Sequence, residues 1–333
     1  MGNNVKEGHR DKQSYANKRT TGKEQYYTTP EVVDICLAEV QKHVNLTGKI
    51  ILEPCGGTGE FIEGFRRIGI EDENILSYDI EPKHNLVKHA NYLETDFDGK
   101  DLISITNPPF GRSSSLAKKF FEHASGHCEY ICYLVPKSWR KWSTQNSLNK
   151  NFHLVSDIEL PKNCFYRPEG EDESKKDVLN TVFQIWKREP KKRKKIKIKD
   201  NGLVLKVQPK KKDVIVWRQI QQELFEIIDG QPVKFKKEVY EKDIQKRPDK
   251  ITGVNFEMIV FGHSCGRCED LDPKQEYEAK TTTMYFQIKD EKVKQALKSI
   301  DFSKHFNNVA YVQALSIDEI NYELNEFFGL PNF

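Results

Sequence analysis

The chain has 333 residues, of which 37% are hydrophobic and 31% charged, and its formal net charge is +3. The length exceeds what one minimal enzyme core needs, so we expect a catalytic domain and a smaller second domain. No apolar run approaches the roughly 20 residues that span a bilayer, and no secretory signal is visible. Seven irregularly spaced cysteines predict reduced thiols. Together these features favour a cytoplasmic or nuclear protein, not a secreted or membrane one.

Predicted helices and strands alternate from Pro30 onward. Helices are expected at 31–45 and 59–68, after Pro82, and at 114–125 and 137–149. Strands are expected at 49–53, 101–106, 130–135, 152–159 and 178–186, and a further strand is expected to end at Asp79. Strands separated by helices predict an α/β fold with a mostly parallel sheet that is covered on both faces. The last two strands have no helix between them, which predicts an antiparallel closing hairpin.

The positive charge is concentrated in one segment. Residues 187 to 212 hold 13 Lys or Arg and 2 Asp or Glu, so the remainder of the chain is net negative. Such a cluster favours polyanion binding that weakens as salt rises, although a solvated lysine-rich linker is the alternative. Within it, Lys191, Lys192, Arg193, Lys194 and Lys195 are the candidate nucleic-acid contacts.

These features predict four regions. We expect a flexible basic tail over residues 1–23, a catalytic domain over 24–188, a basic linker over 189–212 and a smaller α+β domain over 213–333. The catalytic domain includes a polar loop at 163–177. The last domain has predicted helices at 217–228, 290–299 and 316–328 and strands near 254–261 and 282–288.

The first strand runs into a glycine-rich turn that opens a helix. The turn reads Glu53-Pro54-Cys55-Gly56-Gly57-Thr58-Gly59-Glu60-Phe61. In an open α/β sheet such a turn lies at the carboxyl edge, where ligands bind. A dinucleotide fingerprint would need a glycine at the position that Ile62 occupies, so a nicotinamide cofactor is disfavoured. A simple strand-to-helix turn is the other interpretation.

Two aspartates follow at spacings that suit a nucleoside. Asp79, followed by Ile80, stands at the tip of the second strand, where a carboxylate can accept hydrogen bonds from two ribose hydroxyls. Asp96 then offers an acceptor for an adenine amino group, with the ring of Phe97 beside it. Each aspartate alone is better explained as a cap or a turn residue; their order and spacing favour a shared site.

The sequence Asn107-Pro108-Pro109-Phe110 directly follows the strand DLISIT. An aromatic amine is a poor nucleophile because its lone pair is delocalised into the ring. If the Asn107 side-chain oxygen and the Pro108 carbonyl each accept one amine hydrogen, the nitrogen can become tetrahedral and attack a sulfonium methyl. The two prolines stiffen the backbone, and Phe110 offers a stacking face for an extruded base.

These motifs, in this order, resemble those of the S-adenosylmethionine-dependent amino-methyltransferases, over about residues 22 to 188. The resemblance is to the N6-adenine type, in which the glycine motif precedes N-P-P-[FY] and the target-recognition domain is C-terminal. It implies the class I Rossmann-like fold and S-adenosylmethionine as the cofactor. The segment Gln25-Tyr26-Tyr27-Thr28-Thr29-Pro30 resembles the leading Y-T-P motif, with one extra threonine.

Carried over by position, the resemblance implies three groups of site residues. Contacts to the cofactor are expected from Tyr27, Thr28, Thr29, Glu53, Gly57, Gly59, Asp79, Ile80, Asp96 and Phe97. The catalytic residues are expected to be Asn107, Pro108, Pro109 and Phe110. Asn107 favours adenine, because cytosine-N4 enzymes usually begin this motif with serine.

The expected reaction is transfer of a methyl group to N6 of adenine in flipped-out DNA. RNA enzymes that act on adenine N6 or guanine N2, and release-factor glutamine methyltransferases, share N-P-P-[FY] and remain alternatives, although the lysines disfavour a protein substrate. A noncatalytic nucleic-acid-binding partner subunit is the alternative from another class, and the oligomeric state stays open.

Two further features have competing interpretations. Aromatic and basic residues alternate in a way that suits binding of a nucleic-acid strand at Trp139 and Trp142, with Lys137 and Arg140. Packing of an amphipathic helix explains these residues equally well. The pair Cys265 and Cys268 has zinc-ligand spacing. No second pair follows at a fitting distance and a fourth ligand such as His305 is remote, so we expect no metal.

Overall fold

The computed structural model describes residues 26–98, 101–162, 164–166, 179–228, 231–310 and 312–333. The chain divides into two compact units, Met1–Ile196 with Asn308–Tyr311 and Lys197–Asn307 with Val312–Phe333. The predicted tail over residues 1–23 lies outside the described residues, as does most of the predicted loop at 163–177. Among the described residues, no helix is long and apolar enough to cross a bilayer.

The first unit alternates strands and helices. Its strands are β1 (Tyr27–Thr28), β2 (Ile51–Glu53), β3 (Ile75–Asp79), β4 (Val87–His89), β5 (Leu102–Thr106), β6 (Cys128–Pro136), β7 (Phe152–Glu159), β8 (Phe165–Tyr166) and β9 (Thr181–Arg188). Its α-helices are α1 (Pro30–His43), α2 (Glu60–Arg67), α3 (Ser115–Ala124) and α4 (Trp142–Ser147), with 3-10 turns at Asp72–Asn74, Tyr92–Glu94, Arg112–Ser114 and Lys137–Arg140.

Seven of these strands form one sheet in the order β4-β3-β2-β5-β6-β9-β7. Neighbours from β4 to β6 pair in parallel, whereas β9 is antiparallel to both β6 and β7. The predicted α/β fold, with a mostly parallel sheet and an antiparallel closing hairpin, is therefore confirmed. The remaining strands, β1 and β8, form a separate antiparallel pair.

The central strand β5 is covered on both faces. All five residues of β5 are buried, as a central parallel strand requires. Helices α1 and α2 pack over one face of the sheet, and α3 packs over the other around Phe121. Pro30 at the first turn of α1 fixes a helical φ where no amide hydrogen is needed, which sets where this helix begins.

The helix predicted after Pro82 is wrong, because this segment instead supplies β4. Val87 pairs with Ser77 of β3 and is buried in the core, so sheet pairing outweighs the local helical signal. The single helix predicted at 137–149 is a 3-10 turn followed by the short helix α4.

The second unit is α+β, as predicted. Its strands are β10 (Leu205–Val207), β11 (Lys211–Ile228), β12 (Gln231–Pro248), β13 (Lys250–Thr252), β14 (Phe256–Ile259), β15 (Cys268–Asp270), β16 (Glu276–Glu278) and β17 (Thr283–Gln287). Its helices are α5 (Glu291–Ser299), α6 (Ser303–Phe306) and α7 (Ile317–Phe328). A four-stranded sheet in the order β10-β17-β14-β15 packs against α5 and α7.

The helix predicted at 217–228 is also wrong. These residues belong to β11, which pairs along its 18 residues with β12 in a long antiparallel hairpin. Side chains such as Trp217 and Ile227 recur at helical spacing, but both are more than 60% exposed in the hairpin. The sequence between the strands, Asp229-Gly230, is typical of two-residue hairpin turns and is the signal that favours strands.

Candidate active site

A cavity of about 440 Å³ lies at the carboxyl ends of β2 to β5. Its lining comes from five segments of the first unit and from two residues of α3: Tyr26, Tyr27, Pro54, Cys55, Gly57, Asp79, Ile80, Glu81, Ala90, Asn91, Tyr92, Leu93, Asn107, Pro108, Pro109, Phe110, Gly111, Leu116 and Phe120. The carboxyl edge of a parallel sheet is where open α/β folds bind ligands. The glycine turn, the first aspartate and the Asn107 motif are thus brought together.

The glycine turn divides its roles between Gly57 and Gly59. Gly57 lines the cavity at φ +48°, and a Cβ placed on it would lie 3.0 Å from the ring of Tyr27. Gly59 is the N-cap of α2 at φ +88°, and a Cβ there would lie 2.5 Å from the ring of His84. The turn therefore needs Gly57 for space beside the cavity and Gly59 for packing away from it.

Asp79 is held by the backbone of two loops. Its Oδ2 accepts a hydrogen bond from the Gly57 amide at 2.9 Å, and its Oδ1 accepts one from the Glu81 amide at 2.8 Å. Each carboxylate oxygen can accept more than one hydrogen bond, so both keep capacity for ligand hydroxyls. Ile80, the next residue, lines the same cavity and is 53% exposed.

Glu53 lies beneath the turn and does not line the cavity. Its side chain is almost completely buried, and the Ser77 hydroxyl donates to its Oε2 at 3.4 Å. Burial raises the pKa of Glu53 to about 8, so this carboxyl group holds its proton at neutral pH. It can stabilise the turn as a neutral hydrogen-bonding group.

The structure places Asp96 and Phe97 outside the cavity lining. Asp96 is exposed, and the Phe97 ring packs 4.4 Å from that of His127. The part of the cavity wall that is nearest to them in sequence is formed by Asn91, Tyr92 and Leu93, just after β4. Sequence reasoning missed them because a helix was predicted where β4 lies; a strand ending at His89 would have indicated Asn91.

The Asn107 motif lies at the tip of β5, and all four of its residues line the cavity. The Asn107 Nδ2 donates to the main-chain oxygen of Tyr26 at 3.1 Å, which leaves Oδ1 as the acceptor end of the amide. The Phe110 ring is 6.4 Å from that of Phe165, which in turn is 5.7 Å from that of Tyr26. Phe165 had no signal in the sequence.

One of the three cofactor contacts expected from the Y-T-P-like segment lines the cavity, together with the neighbouring Tyr26. Tyr27 does so, with the Lys83 ammonium 5.0 Å from the centre of its ring. Thr28 is buried in β1, opposite Phe165 of β8, and Thr29 precedes α1 as its N-cap residue.

The basic candidates fall into two groups. Lys137 forms a 2.8 Å ion pair with Glu159, and Arg140 pairs with both Asp157 and Glu159, so these two cations hold the closing hairpin. Trp139 is completely buried against Phe121, so it packs in the core and offers no surface for stacking. Lys191, Lys192, Lys194 and Lys195 are exposed.

Arg193 differs from its lysine neighbours because it anchors the segment to the first unit. Its guanidinium donates to the main-chain oxygens of Phe152 at 2.9 Å and Leu148 at 3.0 Å. The side chain of Asn146 bonds both main-chain groups of Ile196, at 2.7 and 2.8 Å. The segment predicted as a linker is therefore attached to the catalytic unit as far as Ile196.

The cysteine pair lies in the second unit. Cys265 is buried, and the Cys268 thiol lies 3.6 Å from the main-chain oxygen of Leu297. The His305 ring contacts Glu323 at 2.5 Å. Within the described ranges, no group of three or more His, Cys, Asp or Glu side chains is placed to hold a metal ion.

No protein-family model matches the sequence, and no curated protein matches it. Solved structures similar to part of the chain include a modification subunit assigned to a type I restriction enzyme of Vibrio vulnificus YJ016, with 18% identity and a TM-score of 0.37, covering 49% of this chain and 44% of that one. A protein assigned as an RNA methyltransferase of Pyrococcus horikoshii has 16% identity and a TM-score of 0.37, with 50% and 87% covered. A type I restriction-modification methyltransferase subunit of Streptococcus thermophilus has 14% identity and a TM-score of 0.37, with 50% and 46% covered. The matched region thus spans less than half of the Vibrio and Streptococcus proteins.

Proposed function

We propose that this chain is an S-adenosylmethionine-dependent methyltransferase that modifies N6 of adenine in DNA. The hydrogen bond from the Asn107 amide to Tyr26 carries the proposal, because it orients Oδ1 as a fixed acceptor at the tip of β5. A planar NH₂ group needs two acceptors to lose conjugation, and the Pro108 carbonyl is the second candidate. The amine lone pair is then free to attack.

The cavity fits the cofactor in size and in the chemistry of its walls. Its volume of about 440 Å³ lies in the range of small-molecule sites. We assign Asp79 as the acceptor for the ribose hydroxyls and the wall at Asn91 to the adenine ring, and Gly57 leaves room beside Tyr27. When bound, S-adenosylmethionine supplies the electrophilic methyl group.

Three aromatic side chains support an extruded base as the substrate. Phe110 lines the cavity, the Phe165 ring contacts the Phe110 ring, and the Tyr26 ring contacts the Phe165 ring. Stacking on such rings contributes about 1 to 3 kcal/mol per base. A base must leave its duplex to reach Asn107, because the acceptors lie inside a cavity.

The exposed lysines 191, 192, 194 and 195 favour a nucleic-acid substrate, and we propose DNA ahead of RNA. The second unit is proposed as the target-recognition domain. The test is transfer of labelled methyl groups to duplex DNA, single-stranded DNA, RNA and protein, followed by nucleoside analysis. N6-methyladenine from DNA is the expected product.

Asn107→Ala provides the matched test of the site. It should abolish transfer while the affinity for S-adenosylmethionine, measured by calorimetry, stays within a few fold. Retained turnover would refute the role of Asn107. Methyl groups found on RNA or on guanine would reassign the substrate, and a wild-type chain that binds no cofactor would instead be a noncatalytic partner.

A further inference from the structure

Strand β8 contacts both halves of the proposed site through two adjacent residues. The Phe165 ring lies 6.4 Å from that of Phe110, where we place the target base. The Tyr166 hydroxyl donates to Glu60 Oε1 at 2.8 Å and is 2.9 Å from Thr58 Oγ1, both in the turn that we assign to the cofactor. Successive side chains of a strand point to opposite faces, so one short strand reaches both sites.

Strand β1 binds this strand to the catalytic motif. Tyr27 pairs with Tyr166 and Thr28 with Phe165, and the Thr29 amide donates to the Cys164 carbonyl at 2.9 Å. Just before β1, the Tyr26 carbonyl accepts a hydrogen bond from the Asn107 side chain. The two strands, which we call the β1–β8 ribbon (Tyr27–Thr28 with Phe165–Tyr166), therefore join Asn107, Phe110 and the glycine turn.

The ribbon is a short structure that the Tyr166 hydroxyl links to the glycine turn. It contains two residue pairs and is separate from the seven-stranded sheet. Two-stranded pairs are marginally stable alone, and this one is supported by packing of Phe165 against the core and by the bonds of Tyr166 to Thr58 and Glu60. Burial raises the pKa of Tyr166 to about 12, which keeps its hydroxyl protonated as a donor to Glu60.

We propose that Tyr166 is a positioning residue that couples cofactor binding to the order of the base pocket. This inference rests on the proposed function. A ligand that fixes the glycine turn fixes Thr58 and Glu60, and through the Tyr166 hydroxyl it fixes Phe165 opposite Phe110. The pocket for the base is thereby more strongly ordered when the methyl donor is bound, and by reciprocity an ordered pocket favours cofactor binding.

The experiment compares the full-length wild type with Tyr166→Phe by hydrogen exchange, with and without S-adenosylhomocysteine. In the wild type the ligand should slow exchange at the glycine turn and, by about fivefold or more, in peptides covering 26–29 and 164–166. In the variant the turn should still be protected while the ribbon is not. Tyr277→Phe is the matched control, since it removes a tyrosine hydroxyl that bonds Asp272 in the second unit.

Equal ligand-dependent protection of the ribbon in wild type and Tyr166→Phe would overturn the coupling while leaving the cofactor site intact. Glu60→Gln is the second variant if Tyr166→Phe does not fold, and it should reduce ribbon protection in the same direction by weakening the acceptor. Absence of ligand binding to the wild type, measured by calorimetry, would instead overturn the proposed function and this inference together.

Discussion

The side-chain amide of Asn107 donates a hydrogen bond to the main-chain carbonyl of Tyr26 across 3.1 Å, although 81 positions separate them in the chain. The contact fixes which end of the amide is nitrogen and which is oxygen. An asparagine here does two things at once, because it donates to the protein and leaves an acceptor for the substrate.

This double role predicts the effect of Asn107→Asp. Aspartate keeps the acceptor but loses the donor, and it turns a negative carboxylate toward the Tyr26 carbonyl. We expect kcat to fall by about 10²–10³, the usual effect of removing one preorganised group. Single-turnover kinetics measure this, with calorimetry of S-adenosylmethionine binding as the control. A variant within threefold of wild-type turnover would show that the donor is dispensable.

Gly57→Ala should weaken cofactor binding. The left-handed φ of Gly57 costs a residue with a side chain about 1–2 kcal/mol, and the new Cβ would press on Tyr27 at the cavity wall. We expect the Kd for S-adenosylmethionine to rise by about tenfold or more. Gly48→Ala is the matched control: its φ is +65°, but a Cβ there meets nothing within 4 Å. Equal affinity in both variants would contradict the assignment.

The buried Glu53 predicts a stability that falls as pH rises. Its pKa is about 8 in the folded chain and 4.5 as a free side chain, so between these values the unfolded chain has released the proton that the folded chain keeps. The contribution is complete below pH 4.5 and is lost toward pH 8, at about 1.4 kcal/mol for each pH unit. Glu53→Gln should flatten this slope in urea unfolding from pH 5 to pH 8; identical slopes would exclude a protonated Glu53.

The pH dependence of stability expected from Glu39 has the opposite sign to that expected from Glu53. Hydrogen bonds from Lys42, Ser156 and His43 lower the pKa of Glu39 to about 2, against the cost of its burial. Its contribution is present above pH 4.5 and is lost as pH falls toward 2. Glu39→Gln should therefore reduce stability at neutral pH and leave little difference from wild type near pH 2. Thermal unfolding across this range measures the change.

The exposed lysines predict a salt dependence that their arginine neighbour does not share. Replacing Lys191, Lys192, Lys194 and Lys195 with alanine should reduce the slope of log Kd for DNA against log salt, by about 0.9 for each lysine that contacts a phosphate. Arg193→Ala should chiefly lower Tm, because its guanidinium bonds main-chain carbonyls. An unchanged slope in the lysine variant would place the DNA elsewhere.

The parts of the site that follow a strand directly could be predicted from the sequence. Gly57 comes after β2, Asp79 ends β3 and Asn107 comes after β5, and parallel strands bring these ends to one edge. The order of the motifs therefore fixed their proximity without any long-range information. Asp96 lies outside the cavity lining, and Asn91 within it was not predicted because β4 was mistaken for a helix.

The parts that depend on distant pairing could not be predicted. Phe165 and Tyr166 lie beside the cavity-lining rings of Phe110 and Tyr27 because β8 pairs with β1, more than 130 positions earlier. Neither strand is long enough to show a period. Similarly, residues 217–228 have apolar side chains at helical spacing, and only their pairing with β12 decides that they form a strand.

The hairpin of β11 and β12 leaves and rejoins the second unit at a single point, since the Asp249 amide donates to the Lys210 carbonyl at 2.8 Å. At about 3.4 Å per residue, 18-residue strands extend roughly 60 Å from that point. Because its two ends meet, the hairpin can be shortened at its far end without changing where it joins the rest of the unit. Removal of the outer residue pairs of β11 and β12 should therefore leave the sheet of β10, β17, β14 and β15 intact.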